Sequence, residues 1–233
     1  MTTTHDDLGK IWYLKKVNLF KGLSKEEMTR LAQLTQMKSF KKGEAIYLSG
    51  QPGRQVYFLK QGVVKISKLS GEGHELTLAL LNPGEIFGEL EAVEESARNA
   101  QAVAHSDVLI CVLNRQDLLR MMESKPDVGI RLTKLIGFRR RVIENRLGNL
   151  IFRSIPQRLA ALLLELREPF GKKTGGGTQL DVPLTHEDLA NLIGTARATL
   201  TEALNGFKKE GLVETEGKRI TIKNPEALEL ILR

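Results

Sequence analysis

Arg197, Ala198, Thr201 and Glu202 have the types and spacing of side chains that meet base edges in a DNA groove. An arginine fork fits the O6 and N7 acceptors of guanine, a glutamate accepts from the cytosine amino group, and an alanine can touch a thymine methyl. Thr185 and Thr199 add hydroxyls that can donate to phosphates, contacts that fix register and carry no sequence information.

Such residues need a rigid frame, and the surrounding residues supply one. Thr185 and Asp188 make a capping-box start, and Leu189, Leu192 and Ile193 give the first helix an apolar face. Gly194 supplies a turn that takes a left-handed backbone at no steric cost. Thr195 is expected to cap a second helix, whose buried face is Leu200, Leu204 and Phe207. Ala190 is small enough for the two helices to cross closely. Helix, glycine turn, helix is the helix-turn-helix pattern, in which the start of the second helix enters the major groove. Residues 211–223 then read as two short strands around Glu216-Gly217-Lys218-Arg219, a wing with Lys218 and Arg219 at its basic tip.

The rest of the chain is read as support for this unit. Its 233 residues suffice for two modest domains, and 41% hydrophobic with 27% charged residues excludes wholesale disorder. The net charge of +7 suits a polyanionic partner. Cys111 is the only cysteine, so an internal disulfide and a multi-cysteine metal or iron–sulfur site within one chain are excluded, as fits a reducing cytoplasm. No basic flank precedes an apolar stretch at the start, and no apolar run approaches the ~20 residues of a membrane span, so neither a secretory leader nor a membrane partner is expected.

Residues 8–37 are expected to be helical, with a break at 19–24 and a new helix opened by the capping box Ser24–Glu27. Short β-rich runs at 45–48, 55–59, 63–67, 75–80 and 108–113, punctuated by glycine, predict a barrel or sandwich. His74 and His105 are expected at the surface, and Cys111, inside an apolar run, as a buried inert thiol. A helix begins at Arg115, and Pro126 opens a long one. On it Leu132, Ile136, Ile143, Leu147 and Leu150 form one apolar stripe, and Val128, Leu135, Phe138 and Val142 a neighbouring one. Two stripes need two covers: either one packs on the chain and the other on a second copy, or the helix is buried in the core; Arg139, Arg146, Asn145 and Asn149 interrupt the registers. A further helix is expected over 153–168, and Gly171–Gly177 as a flexible surface loop rather than a phosphate loop.

With its parts in this order, the chain resembles the Crp/Fnr family, the cyclic-AMP receptor group of bacterial transcription regulators, over roughly residues 15–223. The stretches that carry the resemblance are Leu81–Leu90 (LNPGEIFGEL), Arg146–Leu150 (RLGNL) and Leu192–Leu200 (LIGTARATL). It implies an α+β chain: an N-terminal cyclic-nucleotide-binding-like β-roll (jelly roll), a long dimerisation helix and a C-terminal winged helix-turn-helix. It also implies an effector pocket around Gly88, Glu89, Leu90, Arg98 and Asn99, with Ile143 and Glu144 on the long helix. In nucleotide-binding members of the family the glutamate holds a ribose hydroxyl and the arginine a cyclic phosphate, chemistry that suits a carboxylate and a guanidinium fork. Here Asn99 replaces the usual Ser or Thr, and Ile143-Glu144 replaces a Thr-Ser pair that reaches adenine. Arg98 therefore has two readings, a phosphate ligand or a structural ion pair with Glu89, Glu91, Glu94 or Glu95. The family's Arg-Glu-Thr-x-x-Arg reading pattern becomes Arg197-Ala-Thr-Leu-Thr-Glu202, so the usual family operator should be read poorly. The cysteines that hold an iron–sulfur cluster are missing from the amino terminus, and Gly88 and Leu90 stand where haem-binding members place ligands.

The expected domains are 1–125, the amino-terminal helices and β-roll; 126–152, the dimer helix; and 153–233, the winged helix-turn-helix. The expected function is a cytoplasmic, homodimeric, non-enzymatic regulator of transcription that binds a two-fold site on double-stranded DNA. A cyclic nucleotide or another small anionic effector is the ligand class implied, no metal site is expected, and RNA polymerase is a partner by analogy at Gly171–Gly177. The competing reading is a nucleotide-sensing protein-interaction module without DNA binding, favoured by Glu202 on the reading face. An enzyme ranks third, for want of any assembled nucleophile–base or metal-ligand set.

Overall fold

The computed structural model describes Leu14 and residues 17–232. Most of the helix expected from residue 8 to the break at Leu19 therefore lies outside the described residues. Two compact units divide the chain: residues up to Gly73 with Leu78–Arg141, and His74–Thr77 with Val142–Arg233.

In the first unit, α1 (Lys25–Leu34) starts at the expected capping box, with Ser24 N–H donating to Glu27 at 2.7 Å and the Glu27 N–H donating back to Ser24 Oγ. It stops at Leu34 rather than running to residue 37, because Gln36–Phe40 form strand β1. The strands β2 (Ala45–Tyr47), β3 (Gln55–Gln61), β4 (Val64–Leu69), β5 (Glu75–Leu81), β6 (Ile86–Phe87), β7 (Gln101–Ala104) and β8 (Val108–Asn114) complete a roll. Its two four-stranded sheets run β1-β8-β3-β6 and β2-β7-β4-β5. The continuous apolar runs of β3 and β8 are explained by burial of both their faces. Tyr57, Leu59, Val108, Ile110 and Val112 point into the roll, while Val56, Phe58, Cys111 and Leu113 pack under the helices. Cys111 is buried, as expected, and so is His105, which the sequence had placed at the surface.

The short helix α2 (Glu89–Glu94) follows β6, and α3 (Arg115–Ser124) leads into the 27-residue helix α4 (Pro126–Phe152). The two stripes of α4 do not divide into one covered and one open: each is buried at its start, at Leu132 and Val128, and exposed further along. Leu132, expected on the dimer stripe, is 1% exposed in the core with Phe20, Phe58 and Leu118, and Leu135 and Ile136 pack against that core. Phe138, Ile143 and Leu147 are exposed, as are Ile130, Ile151 and Phe152, which the sequence reading had not placed on the stripe. Val142 and Leu150 are half-buried.

The second unit holds α5 (Ile155–Phe170), β9 (Gly171–Thr174), β10 (Gly177–Leu180), α6 (His186–Ile193), α7 (Arg197–Lys209), β11 (Val213–Glu216), β12 (Arg219–Ile222) and α8 (Pro225–Ile231). The 171–177 segment is a β-hairpin and not a loop: β9 and β10 extend the wing into a sheet of order β11-β12-β10-β9. Helix α8, absent from the expectations, opens at Asn224, whose side chain accepts from the Ala227 N–H at 3.0 Å.

Two leucines on α4 thus differ in burial, Leu132 in the core and Leu147 at the surface. Leu132→Ala should cost about 2–5 kcal/mol of folding stability, the usual range for a truncated core leucine, read as a lowered thermal midpoint. Leu147→Ala, at a side chain 57% exposed, should leave the midpoint of the isolated chain near its starting value and weaken self-association in sedimentation runs. A reversed pattern would refute this division of α4.

Candidate nucleic-acid interface and effector cassette

The turn after β6 is built around Arg98. Gly88 takes a left-handed backbone (φ +73°), and a Cβ there would lie 2.7 Å from Arg98 Nη1, so only glycine satisfies both constraints. Arg98 is 2% exposed. Its Nη1 donates to the Gly88 carbonyl at 2.7 Å and to Glu91 at 3.2 Å, and its Nη2 donates to the Gln55 carbonyl. The guanidinium also lies 4.4 Å over the Tyr47 ring and 5.5 Å from that of Tyr57, which stacks on Phe87. Burial pushes both phenols up, against the opposing pull of Arg98. Of the four carboxylates considered for an ion pair, Glu91 takes the role.

Glu89 is equally buried, but it faces a different cation. Arg139 of α4 donates to it at 2.7 Å, donates to the Ile86 carbonyl, and passes 3.6 Å from Glu85. Gly88, Glu89 and Arg98 are thus brought together as expected. Leu90 is 41% exposed, and the Asn99 side chain is exposed while its backbone N–H donates to Glu91 at 3.3 Å. Ile143 and Glu144 are exposed on the part of α4 that belongs to the second unit. Arg139 was not among the expected site residues; in the sequence it signals itself only by interrupting an apolar register.

The residue types fit a cyclic nucleotide: a guanidinium for the phosphate and a carboxylate for the sugar hydroxyl. Each is already partnered within the chain, so a nucleotide would have to take Arg98 from Glu91 and from two carbonyls, and Glu89 from Arg139. Among the described residues, no group of His, Cys, Asp and Glu could hold a metal ion.

The helix pair at 185–209 is built as expected. Thr185 accepts from the Asp188 N–H at 3.0 Å and its own N–H donates to Asp188 at 2.9 Å. Gly194 sits in the left-handed region (φ +64°), where a Cβ would lie 2.8 Å from Leu150 Cδ2. Thr195 does not cap α7: the N-cap is Ala196, which makes no side-chain cap bond, while the Thr195 N–H donates to the Ala190 carbonyl. The first-turn amides of α7 therefore receive no side-chain acceptor from the N-cap. Arg197, Ala198, Thr199 and Glu202 are exposed, and Leu200, Leu204 and Phe207 are buried. Thr201 is half-buried. Its hydroxyl donates to the Arg197 carbonyl at 2.8 Å and lies 2.9 Å from His186 Nδ1, a contact the sequence reading did not foresee. Lys218 and Arg219 are exposed at the tip of the wing, which is tied back to α6 by Leu184 N–H donating to the Lys218 carbonyl.

Residues 37–125 match the cyclic nucleotide-binding domain family, and residues 157–231 match the Crp-like helix-turn-helix domain family. The CRP-like cAMP-activated global transcriptional regulator of Mycobacterium tuberculosis (strain CDC 1551 / Oshkosh) is 30% identical over 92% of this chain and 96% of its own. The cyclic AMP receptor protein of Thermus thermophilus is 32% identical, over 94% and 98%. Among solved structures, a CRP/FNR-family transcriptional regulator from Thermus thermophilus aligns with a TM-score of 0.67 at 30% identity, over 84% of this chain and 98% of its own. A variant of CooA from Carboxydothermus hydrogenoformans shares the fold, with a TM-score of 0.77 at 24% identity over 95% of each chain.

Arg98→Ala should destabilise the first unit by about 3–5 kcal/mol, because it leaves a half-buried carboxylate and two carbonyls without their donor. Arg98→Lys should rescue little of this, since an ammonium cannot make the same fork. Chemical denaturation measures both. An unchanged transition would mean that the guanidinium is held in reserve for a ligand.

Proposed function

The chain belongs to the Crp/Fnr family of transcription regulators, and from that membership we propose that it is a homodimer that binds a two-fold operator in double-stranded DNA through α7. The observation that carries this reading is the exposed face Arg197, Ala198, Thr199 and Glu202 on a helix set by a capped partner and a left-handed Gly194. Thr185, at the start of α6, and Thr195, in the turn before α7, stand where phosphates would pass. The first-turn amides of α7, without a side-chain cap, suit a phosphate by their partial positive charge, and Lys218 and Arg219 on the wing suit a second.

The work divides along the sequence. Residues 1–125 form the effector-binding-like part, 126–152 the dimer helix and 153–233 the DNA-binding part. The exposed apolar stripe Phe138, Ile143, Leu147 is the seam between two copies. RNA polymerase is the further partner, at the β9–β10 hairpin. The protein acts in the cytoplasm and catalyses no reaction; among the described residues no helix is long and apolar enough to cross a membrane.

A cyclic nucleotide or similar small anion is the effector class for the cassette. Its affinity is set by competition with the internal partners of Arg98 and Glu89. Effector binding that removes Arg139 from Glu89 would act directly on α4, the helix that carries the seam, and so couple the two sites.

The deciding experiment is selection from a pooled genomic library by the purified protein, with and without cyclic AMP at fixed salt. Recovery of a palindromic motif in either condition supports the DNA reading, and the nucleotide dependence ranks the effector. Absence of salt-sensitive binding to any genomic DNA rejects it and favours a protein-binding module. Arg197→Ala should cost ~1–3 kcal/mol and blur one base position, whereas Lys218→Ala should weaken all sequences alike and reduce the salt slope by about one.

A further inference from the structure

Thr201 stands on the reading face, yet its hydroxyl is already committed. The Arg197 carbonyl, 2.8 Å away, can only accept, so it takes the single hydroxyl proton. The contact of 2.9 Å to His186 Nδ1 must then run the other way, with the ring donating Nδ1–H to Thr201 Oγ1. This fixes the tautomer, with Nε2 bare when the ring is neutral. Thr201 has no proton left for guanine O6 or N7, adenine N7 or thymine O4. What its half-exposed side chain still offers is the γ-methyl and one oxygen lone pair.

We propose that His186 is a positioning residue for base recognition: by donating to Thr201 it turns that side chain so that its methyl group, and not its hydroxyl, reads the groove, selecting a thymine methyl at one position of each half-site. The inference rests on the DNA-binding reading above and deepens it. The electrostatics of the site are compatible with a role independent of charge. Burial, then Lys208 and Arg197 on α7, hold the His186 imidazole below its ordinary pKa, while Glu187 and Asp188 are the acids of its own first turn. Below that pKa the added proton goes to Nε2. The Nδ1–H donor is present in both charge states, so the base preference is insensitive to pH even as acidification strengthens overall attraction to phosphate.

The probe is the operator recovered from the library, with each thymine of a half-site replaced in turn by deoxyuracil, which lacks only the C5 methyl. The wild type is expected to lose about fourfold in affinity per half-site at one position, the worth of one methyl-sized apolar contact. Thr201→Ser, which keeps both hydrogen bonds and loses the methyl, abolishes that penalty. His186→Ala admits adenine or cytosine at that position, because the freed oxygen can accept from their amino groups, and His186→Asn, whose amide restores a donor near Nδ1, returns the thymine preference. The penalty stays constant from about pH 5 to pH 8, the range in which an imidazole changes charge. A uracil penalty as large in Thr201→Ser as in the wild type, or a thymine preference unchanged in His186→Ala, overturns the proposal while leaving DNA binding intact. A wild type that binds no DNA overturns the reading beneath it.

Discussion

The first unit is organised by the need to satisfy one buried cation. An isolated guanidinium in an apolar interior is prohibitively costly, so everything that touches Arg98 answers that cost. Two carbonyls, the Glu91 carboxylate and the Tyr47 ring face surround it. Gly88 must lack a side chain to let it in. Its backbone is fixed as well: the Arg98 N–H donates to the Gln51 carbonyl and its own carbonyl accepts from Gly50 N–H, both at 2.8 Å. The cassette is thereby a closed electrostatic unit, and the second buried charge, Glu89, is closed in the same way by an arginine that arrives from α4. A ligand of this roll would have to exchange with partners already in place.

How much of this was legible follows from how locally each feature is encoded. The capping boxes at Ser24 and Thr185, the left-handed turn at Gly194 and the apolar faces of α6 and α7 depend on residues within a few positions of one another, and all are present as read. Strands β3 and β8 could be read because both of their faces are apolar. Strand β1, Gln36-Met-Lys-Ser-Phe40, carries mostly exposed side chains and pairs with β8 across some 70 positions, so nothing in its own composition announces it. The β9–β10 hairpin was hidden for a related reason: glycines and lysines give little strand signal, and the pairing with β12 is what orders it.

The site was legible by residue type and less so by partner. Resemblance picked out Gly88, Glu89 and Arg98, and the structure gathers them. The choice of Glu91 over its neighbours, and the arrival of Arg139 fifty positions away, depend on tertiary packing that no local pattern contains. Thr195 shows the converse. A threonine before a helix is a fair capping candidate, but the helix begins one residue later than that reading needs, at Arg197 behind Ala196. The charge-breaking arginines in the long helix, read as flaws in an apolar register, include the residue that closes the cassette.

The exposed stripe of α4 has a consequence for gene control. Phe138, Ile143 and Leu147 are exposed among the described residues, and if they form the proposed seam the two-fold reader comes into being only by mass action between copies. Below the dimer dissociation constant, the amount of assembled reader grows with the square of the number of chains in the cell. Expression level is then an input in its own right: a twofold change in synthesis becomes up to a fourfold change in assembled reader, before any small molecule reaches the roll.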